Sequence, residues 1–205
     1  MKPAFWDRAK RELSRSDPVL GAIIRRYPRI HLVPRGDPFH TLARSIVGQQ
    51  ISVKAAQAVW NRLLATLPAV TPEHALEAGA RKLLTCGLSR RKAEYLADLA
   101  QHFASGRIVP ERWEGMHDEQ VIAELIEVRG IGRWTAEMLL NFSLLRPDVL
   151  PVDDLGLQRG VSIGYRDGRK LSEAGLRRIA KSWTPWRSVA TWYLWRSLDP
   201  VPVEY

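Results

Sequence analysis

Residues 125–156 read LIEVRGIGRWTAEMLLNFSLLRPDVLPVDDLG, and this stretch combines a glycine turn between two helices with an acidic pair. Apolar residues recur at helical spacing before the turn, at Val121, Ile122, Leu125 and Ile126. They predict a short amphipathic helix that runs into Val128 and stops at residues 129–132. A second, largely apolar helix is predicted over residues 134–142. The stretch therefore predicts a helix, a hairpin and a second helix.

The turn between these helices has a glycine on each side of Ile131. Glycine readily adopts positive φ and lets another backbone or a ligand approach closely, so Gly130 and Gly132 are expected to use that freedom. Ile131 is expected to fill the junction between the helices. The amides of Gly130, Gly132 and Arg133 would lie at a helix N-terminus, which favours an anion such as a DNA phosphate. A tight connection between two helices would produce the same turn.

The acidic pair, Asp153 and Asp154, follows a proline-bounded turn at the start of another predicted helix. Aspartate is a common helix N-cap, and capping accounts for one of the two carboxylates. The second carboxylate, in a chain with few other acids on turns, is a candidate functional group.

Composition limits the class of protein. The chain has 205 residues, enough for one compact domain or two closely packed lobes. Its formal net charge of +9 suits a polyanion such as DNA. The single cysteine, Cys86, excludes an intramolecular disulfide and a four-cysteine iron–sulfur or zinc site. Because no apolar run suits a signal peptide or a membrane span, we expect a cytoplasmic protein, nucleoid-associated if bacterial.

Helix-start signals recur along the chain, whereas alternating strand patterns are absent. Two Asp-Pro and two Thr-Pro pairs predict helix starts at Asp17, Asp37, Thr71 and Thr184. Further N-caps are predicted at Ser52, Ser89, Asp118 and Ser172. The sequence therefore predicts an all-α protein of about nine to eleven helices.

Five strings carry a family resemblance: SIVGQQIS (45–52), GLSRRKA (87–93), VRGIGRWTAEMLL (128–140), PVDDLGLQRG (151–160) and WTPWRS (183–188). Together they resemble the DNA-3-methyladenine glycosylase II family of the helix-hairpin-helix DNA glycosylase superfamily. The resemblance implies two helical lobes, with Asp154 facing the cleft between them. Residues 37–141 would form a central lobe that ends in the helix-hairpin-helix, and residues 1–36 with 142–205 would form the other lobe.

The resemblance also implies which residues contact DNA. In the family, the loop that matches residues 48–52 enters the gap left by an extruded nucleotide, which would make Gln50 the wedge and Gln49 its neighbour. A loop of polar filler is the alternative. The hairpin would hold DNA phosphates through Gly130, Gly132, Arg133 and Thr135.

The base pocket follows from the same resemblance. Trp195 matches the position of an aromatic residue that lines the family's pocket, and Trp134 and Met138 lie one helical turn apart after the hairpin. Purines alkylated at N3 or N7 are positively charged, so a tryptophan face adds a cation–π attraction that a normal base lacks. Asp154 would stabilise the oxocarbenium-like sugar and orient or deprotonate water. Asp153 is the competing carboxylate.

One position predicts the reaction type. Bifunctional members of the superfamily carry a nucleophilic lysine in the pattern GxGRKTA, whereas this chain reads GIGRWTA over residues 130–136, with Trp134 at that place. Tryptophan cannot form a Schiff base. The sequence therefore predicts a monofunctional glycosylase that removes alkylated purines of the 3-methyladenine and 7-methylguanine type and leaves an abasic site. The alternatives are a non-catalytic helix-hairpin-helix DNA-binding protein and a bifunctional glycosylase/lyase for oxidised bases.

No cofactor is expected to be required, and no iron–sulfur cluster is expected. Hairpins of the family often bind a monovalent cation through main-chain oxygens, which would place Na⁺ or K⁺ at Ile126, Val128 and Ile131. The expected partner is double-stranded DNA that contains damaged bases. The protein is expected to act as a monomer, and no association with a membrane is expected.

Overall fold

The computed structural model of the chain describes residues 2–199. Within that range it contains α-helices and short 3-10 helices and no strand, so the predicted all-α fold is confirmed. No helix among these residues is long and apolar enough to cross a bilayer. In chain order the α-helices are α1 (Trp6–Ser16), α2 (Pro18–Arg26), α3 (Pro38–Gly48), α4 (Val53–Thr66), α5 (Pro72–Thr85), α6 (Arg90–Ala104), α7 (Asp118–Ile126), α8 (Arg133–Phe142), α9 (Leu155–Arg166), α10 (Glu173–Ala180) and α11 (Arg187–Leu198). The 3-10 helices span Pro110–Gly115 and Lys181–Trp183.

The described chain divides into two compact units. The terminal unit consists of residues 2–34 and 140–199, and the central unit consists of residues 35–139. Both divisions fall two residues before the boundaries predicted from the sequence.

In the terminal unit, α11 packs against α1, α2 and α9. Its residues are apolar on nearly every face, as expected of a helix surrounded by others. Its buried side chains join those of α1 and of the second 3-10 helix in one core, which includes Trp6, Leu13, Trp183, Trp192 and Tyr193.

In the central unit, α6 packs against α3 and α5, and α3 also packs against α4. The buried side chains of these helices include Phe39, Leu42, Ile46, Leu63 and Leu96. The helices on both sides of the glycine turn contribute Leu125 and Leu139, which are also buried. The apolar spacing that predicted those two helices therefore marks their packed faces.

Most predicted helix starts are confirmed. Side chains of the predicted caps accept hydrogen bonds from amides of the first turn at Asp17, Asp37, Ser52, Thr71, Ser89 and Ser172. Such caps are recognised by local sequence alone, because the side chain and the amides that it satisfies are two or three residues apart.

Two predicted starts are wrong. Asp118 is the first residue of α7, and His117 is the N-cap because its amide donates to Gln120 Oε1 at 2.8 Å. Thr184 does not cap a helix, since the Trp186 amide donates back to the Trp183 carbonyl and closes a turn before α11 begins.

Asp17 does more than cap α2. Its Oδ1 accepts from the amides of Val19 and Leu20, each at 3.0 Å. Its Oδ2 accepts from the Tyr165 hydroxyl at 2.7 Å and from Trp183 Nε1 at 3.0 Å. Burial, and then the hydrogen bond to Asp17, raises the pKa of the Tyr165 hydroxyl, so this phenol remains a donor. One buried carboxylate thus connects three segments of the terminal unit.

We expect Asp17→Ala to lower the free energy of unfolding by about 3–5 kcal/mol, because it leaves buried donors without an acceptor. Ser172→Ala is the matched control, since Ser172 caps α10 at an exposed position through a single bond to the Gly175 amide. That change should cost about 1 kcal/mol. Urea unfolding measures both. Equal losses in the two variants would contradict the role given to Asp17.

Candidate active site

The glycine turn of the central unit uses its two glycines differently. Gly130 has a φ of 86°, and a Cβ added there would lie 2.1 Å from Cδ2 of Tyr95. Gly132 does not adopt positive φ, and a Cβ added there would meet nothing within 4 Å. The expectation of positive φ at both glycines is therefore wrong for Gly132. Its carbonyl instead begins α8 by accepting from the Ala136 amide, and the space above it is open.

Three contacts hold the turn from outside it. The Tyr95 ring packs on Gly130, and Gln49 Nε2 donates to the Gly130 carbonyl at 2.8 Å. The Arg129 amide donates to Asp98 Oδ2 at 2.8 Å. Tyr95 and Asp98 could not be selected from the sequence, because only the packed fold brings α6 against the turn. Their spacing of three residues on one helix is the only local signal.

The wedge candidate Gln50 lies at the exposed tip between α3 and α4, with a φ of 57°. Gln49 is adjacent, and its side-chain amide is bonded to the hairpin. On the other side, Lys92 Nζ donates to the Val47 carbonyl at 2.7 Å. Burial lowers the pKa of the Lys92 ammonium. Lys92 thus bonds a carbonyl at the carboxyl end of α3.

The remaining candidates on α8 differ in exposure. The Arg133 guanidinium pairs with Glu119 and, from Nε at 3.1 Å, with the buried Glu137. The hydrogen bond to Glu119 is the main cause that raises the pKa of Arg133. Trp134 is 39% exposed, whereas Thr135 and Met138 are buried. A DNA contact by Arg133 would therefore use its amide more readily than its side chain.

The predicted cation ligands lie at the same turn. The Val128 carbonyl accepts from the Ile131 amide at 3.1 Å, while the Ile126 carbonyl belongs to the last residue of α7. Carbonyls at a helix end lack intrahelical donors, which suits a weak oxygen site for Na⁺ or K⁺. The cation remains a prediction. Among residues 2–199, no group of three His, Cys, Asp or Glu side chains could hold a metal ion.

In the terminal unit, Asp154 is the N-cap of α9 and is only 9% exposed. Its Oδ1 accepts from the Leu157 amide at 2.6 Å and from Trp195 Nε1 at 2.7 Å. Asp153 is exposed. From the sequence, one of the two aspartates was expected to cap the helix and the other to be functional. In the structure Asp154 both caps α9 and accepts the hydrogen bond from Trp195. Asp153 instead projects from the turn before the helix.

Two residues that contact Trp195, the donor to this carboxylate, were not selected from the sequence. Phe142 stacks on Trp195 with ring centroids 5.8 Å apart and an angle of 12° between the planes. A Cβ added at Gly156 would lie 3.0 Å from Trp195 Cδ1 and 3.1 Å from Asp154 Oδ1. The glycine of the quoted Asp-Leu-Gly string is therefore the residue that lets the indole approach the carboxylate.

Arg187 is the first residue of α11, inside the terminal unit. Its guanidinium forms a two-point pair with Asp148, with Nε at 2.7 Å and Nη2 at 2.8 Å, inside the terminal unit. Trp183 and Trp186 are buried.

The sequence matches the family described as HhH-GPD superfamily base excision DNA repair protein over residues 43–185. It is 35% identical over 167 residues to DNA-3-methyladenine glycosylase 1 of Schizosaccharomyces pombe, and this match covers 78% of this chain and 72% of that protein. It is 29% identical over 201 residues to a DNA-3-methyladenine glycosylase of Bacillus subtilis, where the match covers 91% of this chain and 66% of the relative.

Two solved structures are similar throughout. A DNA-3-methyladenine glycosidase from Bacillus halodurans has a TM-score of 0.83 and 36% identity, over 92% of this chain and 87% of that chain. A 3-methyladenine DNA glycosylase from Schizosaccharomyces pombe, in complex with abasic DNA, has a TM-score of 0.82 and 31% identity, over 97% of this chain and 99% of that chain.

We expect Gly130→Ala to lower the free energy of unfolding by about 2–4 kcal/mol, since it combines a left-handed backbone with a clash against Tyr95. Gly132→Ala should cost about 1 kcal/mol or less, because the added methyl group meets no protein atom. Chemical denaturation measures both. A larger loss at Gly132 than at Gly130 would contradict this description of the turn.

Proposed function

This chain belongs to the HhH-GPD superfamily of base excision DNA repair proteins, and we propose that it is a monofunctional DNA glycosylase that removes alkylated purines. The observation that carries the proposal is the Asp154 carboxylate, held by the Leu157 amide and the Trp195 indole. The relatives named above, which are 3-methyladenine glycosylases, support the substrate class. Such an enzyme acts in the compartment that holds the chromosome.

Binding begins with phosphates at the hairpin. The N-terminus of α8 carries the amides of Gly132 and Arg133, and a helix N-terminus attracts anions through its dipole and its unpaired N–H groups. The open space at Gly132 permits a phosphate to approach the backbone. The +9 charge of the chain favours association with DNA, and this contribution weakens as salt is added.

Removal of the base requires that the nucleotide leave the stack. Extrusion costs a few kcal/mol and costs least at damaged or mismatched pairs. Gln50 is our candidate wedge because it stands at an exposed tip whose two sides are tied down, at Gln49 and at Val47. A fixed tip loses little conformational entropy when DNA binds.

Recognition of the base is assigned to aromatic faces. Base–aromatic stacking contributes about 1–3 kcal/mol per base, and a cationic purine adds a cation–π attraction. Trp134 and Met138 in the central unit and Trp195 in the terminal unit remain our candidates. Trp134 is the most exposed of the three.

The chemistry is a hydrolysis. As the bond between C1′ and the purine nitrogen breaks, its electron pair leaves with the purine, which neutralises the alkylated base, and positive charge develops at the sugar. Asp154 stabilises that charge and orients the water that adds to C1′ and loses a proton. With Trp134 where a nucleophilic lysine would be, no Schiff base forms on α8 and the product is an intact strand with an abasic site.

We expect Asp154→Asn to lower base release from methylated duplex DNA by at least about a hundredfold, as loss of one electrostatic stabiliser does. The variant should still bind DNA and fold, because Asn is also a good N-cap. Asp153→Asn is the matched control and should retain activity. Strand breaks should appear only after alkali. Wild-type activity in Asp154→Asn, or strand breaks without alkali, would contradict the proposal.

We expect Gly132→Ala to weaken DNA binding by roughly tenfold, because a methyl group above the turn blocks the approach of a phosphate. Gly115→Ala is the control: it lies in the same unit, lacks positive φ and has nothing within 4 Å of an added Cβ. Fluorescence anisotropy with undamaged duplex measures both affinities. Equal affinities for the two variants would argue against phosphate binding at Gly132.

A further inference from the structure

Trp195 was selected from the sequence as a wall of the base pocket, but its polar edge has a partner of its own. Trp195 Nε1 donates to Asp154 Oδ1 at 2.7 Å, the same oxygen that accepts from the Leu157 amide at 2.6 Å. The two donors come from different helices, since Leu157 lies on α9 and Trp195 on α11. One carboxylate oxygen is thus held from two directions.

The indole is itself held in place. Its ring stacks on Phe142 in a nearly parallel arrangement. Gly156 lies against the Cδ1–Nε1 edge of the indole, where an added Cβ would lie 3.1 Å from Nε1. A contact of 3.0–3.1 Å at a Cβ is tighter than ordinary van der Waals contact, so any side chain at position 156 would shift the indole or the carboxylate. Glycine at position 156 therefore permits the hydrogen bond between Trp195 and Asp154.

A carboxylate stabilises a developing cation best when it already points at the place where the charge appears, because no reorganisation is then needed during the reaction. A single donor on one oxygen leaves the carboxylate free to tilt about that bond. A second donor, from a helix packed against the first, fixes its plane. Hydrogen bonds to ionised groups are stronger than neutral ones, so the indole contributes usefully to this alignment.

We propose that Trp195 is a positioning residue for Asp154, whose indole N–H orients the carboxylate toward the cationic sugar. The inference rests on the proposed function of Asp154. A positioning residue and a residue of the pocket wall differ in a way that can be measured. A side chain that only stacks on the base affects binding only when a base is present. A side chain that orients Asp154 affects binding of a cationic sugar even when no base is present.

Two abasic analogues separate these roles, because neither contains a base. Duplex DNA with a pyrrolidine at the abasic position, protonated at neutral pH, represents the cationic sugar, and duplex DNA with a tetrahydrofuran represents the neutral one. The measurement is the ratio of the two dissociation constants. Wild type should bind the pyrrolidine duplex more tightly.

In Trp195→Phe, an aromatic ring remains against Phe142 and the N–H donor is lost. The preference for the pyrrolidine duplex should fall roughly tenfold, the effect of one hydrogen bond to a charged group. Affinity for the tetrahydrofuran duplex should change by less than about twofold. Gly156→Ala provides a second variant that keeps the indole but crowds both Trp195 and Asp154, so it disturbs their hydrogen bond and should lower the same ratio.

Trp186→Phe is the matched control. Trp186 Nε1 also donates to a carboxylate in the terminal unit, Glu12 Oε2, at 2.6 Å. Its removal should leave the ratio unchanged, which distinguishes loss of this indole bond from a general loosening of the unit.

The outcomes separate the inference from the function on which it rests. If Trp195→Phe retains the wild-type ratio, or weakens both duplexes equally, the positioning role is wrong while the role of Asp154 stands. If wild type itself has no preference for the charged analogue, the electrostatic role of Asp154 is wrong, and the positioning role is wrong with it.

Discussion

Oδ1 of Asp154 accepts hydrogen bonds from two parts of the terminal unit that are far apart in the chain, the Leu157 amide and the Trp195 indole. The first bond begins α9, and the second connects α9 to α11. A mostly buried carboxylate is costly unless donors compensate for its lost hydration, and these two bonds supply that compensation. The same bonds set the direction in which its charge points. The start of α9, its link to α11 and the proposed chemistry of the terminal unit thus meet at one oxygen atom.

In the central unit, contacts around the hairpin hold backbone amides in a fixed position. Gly130 is required by the backbone and by Tyr95, so it shapes the turn, whereas Gly132 is required by neither and leaves room for a ligand. Gln49 donates to the Gly130 carbonyl of the turn, and Asp98 accepts from its Arg129 amide. A turn that is already held in place can bind a phosphate without a further ordering cost. We assign the DNA contact to Gly132 because, unlike Gly130, it is not needed to form the turn and has open space beside it.

Features set by local spacing could be predicted from the sequence. The caps at Asp17 and Ser52 and the apolar faces around the hairpin depend on neighbours a few residues away or on hydrophobicity alone. Features that depend on packing between distant segments could not be predicted from the sequence. The sequence could indicate that Lys92 is basic, but not that it turns inward to the Val47 carbonyl. It suggested Trp195 as an aromatic face and could not reveal that the N–H of this residue meets Asp154, 41 residues earlier.

The most direct test is a crystal structure of the chain bound to duplex DNA that carries a pyrrolidine whose ring nitrogen replaces C1′. We expect a carboxylate oxygen of Asp154 within about 3.5 Å of that nitrogen, the separation expected for reacting groups. We also expect that Trp195 Nε1 still donates to Oδ1, and that a phosphate contacts the amides at Gly132. A ring nitrogen next to Asp153 instead, or remote from both carboxylates, would contradict the central claim.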